Sequence, residues 1–188
     1  MKAFKGIVYL FLFAGLISCN NAQQNTPVGD KATTAASAGG QENVQDDVSE
    51  KDVVKVAMSS KDHTTLVAAI KQADLVTSLS NAGPFTVFAP TNAAFDKVDK
   101  ATLNALMQDD KKEDLQNILQ YHVTLSAIKS ENLMDGQVLG MVNGDNVTVS
   151  VKDGKITLNG NATIVASIPA SNGIIHVIDH VLMPPAHK

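Results

Sequence analysis

The 188-residue chain has no arginine and no tryptophan, one cysteine, and only eight phenylalanines and tyrosines. A single cysteine rules out an internal disulfide, so the fold must be held by its core alone. Of the eight rings, Phe4, Tyr9, Phe11 and Phe13 fall in the first 13 residues, and Phe85, Phe88, Phe95 and Tyr121 serve the rest. Contact hot spots favour Trp, Tyr and Arg, so tight binding at one site and a sugar-stacking platform are both disfavoured. The formal charge of −4 becomes about −6 once Lys2 and Lys5 are removed, which argues against nucleic acid as a partner.

Catalytic signatures are missing too. There is no Gly-x-Ser-x-Gly elbow, no phosphate-cradling glycine loop and no His-Glu-x-x-His helix. The acidic pairs Asp46-Asp47 and Asp109-Asp110 sit in a polar stretch and at an expected helix start, where negative charge complements the dipole. His176 and His180, four apart on an expected strand, stand about 13 Å from each other and cannot share one metal. The chain therefore reads as a non-enzyme with no cofactor and no metal.

What is present begins with Lys2 and Lys5, an uncharged apolar run from Gly6 to Ile17, and then Ser18-Cys19. Twelve residues at ~1.5 Å each span about 18 Å, short of the ~30 Å hydrocarbon core, so a signal segment (residues 1–18) is expected and not a membrane span. Leu16-Ile17-Ser18-Cys19 resembles the bacterial lipobox, the alternative being an ordinary signal peptide with an incidental cysteine. The resemblance implies cleavage before Cys19, lipidation of Cys19 and a membrane anchor outside the cytoplasm; multiple acyl chains would make that anchor stable. Asn20 lacks the aspartate that retains some lipoproteins at the inner membrane, which implies the outer membrane, on its periplasmic or surface face. From Cys19 to residue 50 the chain is polar and aperiodic, and is expected to form a flexible tether of about 31 Å root-mean-square reach.

Residues 51–185 are expected to form the domain, with a short tail at 186–188. Leu66, Ile70, Ala73, Val76 and Leu79 recur at helical spacing, with Asp62 or Thr64 as the cap. Phe85-Thr86-Val87-Phe88 reads as a buried strand, and Thr91 or Asn92 caps a short helix that buries Phe95. Asp110 and Glu113 resemble a capping box for a helix facing Leu115, Ile118 and Leu119 inward. Further on, Val147, Val149 and Val151 alternate with polar residues, and Asp153-Gly154 predicts a two-residue turn pairing Val151 with Ile156 and Val149 with Leu158. Ile174 to Leu182 is apolar on both faces, as in a strand covered on both sides. Helices first and strands later make an α+β domain.

Three segments together resemble the fasciclin-like domain family: Gly83 to Phe95 (GPFTVFAPTNAAF), Tyr121-His122 after an amphipathic helix, and Asn172 to Pro184 (NGIIHVIDHVLMP). The resemblance implies a compact wedge of antiparallel and mixed strands with the N-terminal helices at its side. It also implies a cell-adhesion or matrix-contact module in the cell envelope. In animal relatives the Tyr-His region has been linked to receptor binding, so the resemblance implies Tyr121 and His122 as the candidate partner-binding residues; the alternative is a satisfied core pair. The expected partners are protein or polysaccharide, bound weakly and through many copies on one membrane. The competing function is a carrier of lipid or a small apolar ligand.

Overall fold

A computed structural model describes residues 51–185; the expected signal segment, Cys19, the tether and the tail lie outside the described residues. Helices α1 (Val53–Ser59), α2 (Thr64–Gln72) and α3 (Val76–Ser80) come first, followed by strand β1 (Phe85–Pro90). Then come α4 (Asn92–Phe95), α5 (Lys100–Leu106) and α6 (Lys112–Gln120), and the strands β2 (Val123–Thr124), β3 (Val138–Gly140), β4 (Asn146–Lys152), β5 (Lys155–Leu158), β6 (Ala162–Ala170) and β7 (Gly173–Ile178). The fold is α+β, as the sequence predicts.

The apolar row from Leu66 to Leu79 is two helices and not one. Asp74 adopts φ 55°, a left-handed turn that ends α2 and lets the chain restart as α3. The start of α2 is capped from elsewhere in the chain: the Asn92 side-chain oxygen accepts from Thr65 N–H at 3.0 Å, while its amide donates to the Lys61 carbonyl at 3.0 Å. Neither Asp62 nor Thr64 fills that role, and Thr91 is the residue that caps α4. The capping box expected at Asp110 and Glu113 is also absent, because a 3-10 turn over Asp109–Lys111 places Lys111 at the N-cap of α6.

The seven strands form one sheet in the order β2-β1-β7-β6-β5-β4-β3, with its second and third strands, β1 and β7, parallel and the other pairs antiparallel. The predicted hairpin is present in register, Val151 opposite Ile156 and Val149 opposite Leu158. Asp153 (φ 51°) and Gly154 (φ 74°) supply the two positive angles that a type I′ turn requires. The end strands then meet: Val142 N–H donates to the Val123 carbonyl at 2.9 Å, and Thr124 Oγ1 donates to the Gly140 carbonyl at 2.8 Å. The sheet thus curls into a near-barrel and removes two edges that would otherwise stand open.

Because side chains alternate across the sheet, the central strands serve two cores. Val87, Ala89, Ile175 and Val177 pack under the helices with Leu66, Ile70, Phe95, Leu115 and Leu119. Phe88 and Ile178 point the other way, into the barrel, and join Val147, Val149, Leu158 and Tyr121. Each fully buried Phe, Leu or Ile contributes about 1.5–3 kcal/mol relative to exposure. Strands β1 and β7 run so close at Gly173 that any β-carbon there would strike the Phe85 carbonyl oxygen, so glycine is required.

Candidate functional site

Tyr121 and His122 sit where α6 gives way to β2. Tyr121 is 2% exposed; its hydroxyl donates to the Asn146 carbonyl at 3.0 Å and accepts from Asn159 Nδ2 at 2.8 Å. The phenol therefore ties the end of α6 to β4 and to the turn after β5. His122 is equally buried, with Nδ1 2.8 Å from the Ile118 carbonyl and Nε2 2.9 Å from Leu182 N–H. A carbonyl can only accept and an amide can only donate, so the ring is fixed as the neutral Nδ1–H tautomer. Protonating Nε2 would set two N–H groups against each other in a dry site. Burial lowers the His122 pKa to about 4, against the smaller opposing pull of the Ile118 carbonyl. All side-chain polar atoms of this pair are used inside the domain.

A second buried histidine does similar work. His176 is fully buried and stacks on Phe88, with ring centres 5.6 Å apart. Its Nε2 donates to the Ile128 carbonyl at 2.8 Å and its Nδ1 accepts from Ser167 Oγ at 2.8 Å; burial pushes its pKa down. Thr86, also fully buried, donates to the Ser126 carbonyl at 2.5 Å and accepts from Ile128 N–H at 2.9 Å. Together they pin residues 126–128 against β1 and β7. His180 is a surface residue, bonded to Asp179 at 3.0 Å. No group of three or more His, Cys, Asp or Glu among the described residues is placed to hold a metal, and no described helix is long and apolar enough to cross a membrane.

Immediately after the buried pair the surface changes character. Leu125 is 67% exposed at the end of β2. On the strand bonded to it, Val138, Gly140 and Val142 face outward in alternation with buried Leu139 and Met141, while Met134 is exposed just upstream. No local pattern marks this strip, since isolated apolar residues in loops are ordinary; the bonds from Val142 to Val123 and from Thr124 to Gly140 close β2 onto β3 and set Leu125 on the same seam as Val138 and Val142. A separate apolar space between α5, α6 and the C-terminal segment, lined by Leu103, Leu106, Ile118, His122, Val181 and Met183 among others, holds about 20 Å³.

The fasciclin domain model matches residues 61–184, and the chain belongs to the fasciclin domain family. It is 46% identical over 133 residues to protein sll1483 of Synechocystis, covering 71% of this chain and 73% of that protein. It is 38% identical over 136 residues to the transforming growth factor-beta-induced protein ig-h3 of Sus scrofa, covering 72% of this chain and 20% of that longer protein. Among solved structures, the FAS1 domain pair from the insect cell adhesion molecule fasciclin I is similar, with a TM-score of 0.64 and 19% identity over 71% of this chain and 51% of that one. Domains of this family are generally adhesion and interaction modules.

Proposed function

We propose that the protein is a membrane-anchored adhesion module outside the cytoplasm that holds protein or polysaccharide partners weakly and through many copies. The observation that carries this reading is the contrast at the β2–β3 seam. Tyr121 and His122 spend their polar atoms internally, while Leu125, Val138 and Val142 face solvent beside them. In this reading Tyr121 and His122 are positioning residues and the strip makes the contact. A few aliphatic side chains without Trp or Arg favour modest affinity, and clustering on a membrane raises effective concentration without new contacts. The lipidated Cys19 supplies that clustering, with residues 20–50 as the tether.

The carrier reading is the weaker one: the apolar space between α5, α6 and the C-terminal segment holds about 20 Å³, far below the ~300–1,000 Å³ of small-molecule sites. A larger cleft, about 330 Å³ beside Ser167 and Ile174, is open to solvent and walled in part by Lys129, Ser130 and Glu131. No catalytic step belongs to the reading. The test is adhesion of intact cells carrying the wild type, the Cys19→Ala protein or a Leu125→Asp/Val142→Asp double variant. Wild type should adhere and be removed by protease added outside, Cys19→Ala should leave the membrane fraction and lose adhesion, and the double variant should stay anchored but adhere poorly. A monovalent affinity in the nanomolar range, or adhesion unchanged by both variants, would overturn it.

A further inference from the structure

Strand β6 is nine residues long, yet β5 pairs only with its start, Leu158 opposite Ala162 and Thr157 opposite Thr163. A register shift between Ile164 and Ala166 bends β6 at Val165, and from there to Pro169 no described strand lies along its outer edge. The phase of that edge follows from the hairpin. Ala170 faces Gly173 across the two-residue turn at Ser171 and Asn172, so Ala170, Ile168 and Ala166 turn their backbone groups toward β7. Ser167 and Pro169 turn theirs outward. Since Pro169 has no N–H, the edge offers the Ser167 N–H and the Ser167 and Pro169 carbonyls.

Open edges are blunted by charge, by proline or by a bulge; ATIVASIPA carries no charge, and its bulge at Val165 and its Pro169 confine the open edge to the short stretch about Ser167. Beside the edge lies an open cleft of about 330 Å³, walled by Lys129, Ser130 and Glu131 on one side and Ser167, Pro169 and Ile174 on the other. Its loop wall is held firmly, because Ile128 bonds to both His176 and Thr86. Lys129 and Glu131 stand 3.7 Å apart and offset each other, so the cleft has no strong preference for charge.

We propose that the β6 edge and this cleft form a strand-addition site for an extended segment of a partner protein, distinct from the Leu125–Val142 strip. A period-two row of amide donor and acceptors is matched by another extended backbone, and alternate side chains of that backbone fall into the cleft. Pro169 and Ile174 select an apolar side chain there. A second copy of this chain is the poorer occupant: antiparallel pairing of two β6 edges about Ser167 would set Val165 against Pro169 twice and lose a donor at each end.

The test uses the full chain in detergent micelles and an array of random ten-residue peptides. The best binders are then resynthesised with N-methyl groups on alternate residues in either phase. One phase should weaken binding at least ten-fold and the other should not. Bound peptide should slow amide exchange at Ser167 at least ten-fold, and Val165→Lys, at an exposed position, should weaken binding about as much. Ser130→Phe, which fills the cleft, should do the same for peptides with an apolar residue in phase. Absence of any binding peptide, binding without phase dependence, or binding that leaves Ser167 exchange unchanged overturns the proposal. So does a concentration-dependent dimer that protects Ser167 without peptide, which would make the occupant a second copy.

Discussion

Tyr121 and Leu125 are four residues apart, yet one is 2% exposed and the other 67%. The first ends a helix over the barrel and bonds β4 and the turn after β5, whereas the second follows a two-residue strand and faces water. The difference separates the residues that identify the family from those free to touch a partner. A residue that closes a barrel must hold its geometry, and its polar atoms are then committed inside. In the function proposed above, contact falls to the neighbours whose outward direction the barrel sets.

The comparison can be broken most forcefully from the buried side. Tyr121→Ala should cost about 3–5 kcal/mol, as for other large aromatic truncations, and leave the Asn146 carbonyl and the Asn159 amide without their partner. Urea denaturation reads this as a lower midpoint. Acid should act next. With a folded pKa of about 4 against 6.5 unfolded, neutral His122 contributes stability that is fully present above pH 6.5 and is lost as pH falls toward 4. That amounts to about 3 kcal/mol, measurable as the pH dependence of the denaturation midpoint. Burial lowers His176 and His63 in the same direction, so they deepen the loss. His122→Gln should flatten part of this slope.

Smaller changes sharpen the contrast. Tyr121→Phe keeps the ring and removes the hydroxyl, for an expected loss of about 1–3 kcal/mol in the same denaturation experiment. Leu125→Asp and Val142→Asp lie on the exposed strip and should change stability by no more than about 0.5 kcal/mol. Their effect should appear in adhesion alone.

Much of the frame was legible in the chain. The Val149–Leu158 register followed from a period of two and the Asp153-Gly154 turn, and the buried β7 from a run apolar on both faces, although the strand stops at Ile178 and leaves Asp179 to Leu182, His180 included, outside it. Local signals misled where the partner was distant. Asn92 looked like a cap for its own helix, but caps α2 across a gap of 27 residues, and the row from Leu66 to Leu79 hid the turn at Asp74. The candidate site was half legible: Tyr121 and His122 stand out as a pair, but their burial depends on Asn146, Asn159 and Leu182, none of them near in sequence. The strip had no local signal at all, because it exists only once β2 meets β3.

The most direct measurement compares cell adhesion, per correctly folded molecule at the surface, between Tyr121→Phe and the Leu125→Asp/Val142→Asp variant. Adhesion should follow the amount of folded protein for Tyr121→Phe and fall well below it for the double variant. A folded Tyr121→Phe protein that no longer adheres, beside a double variant that still does, would contradict the account.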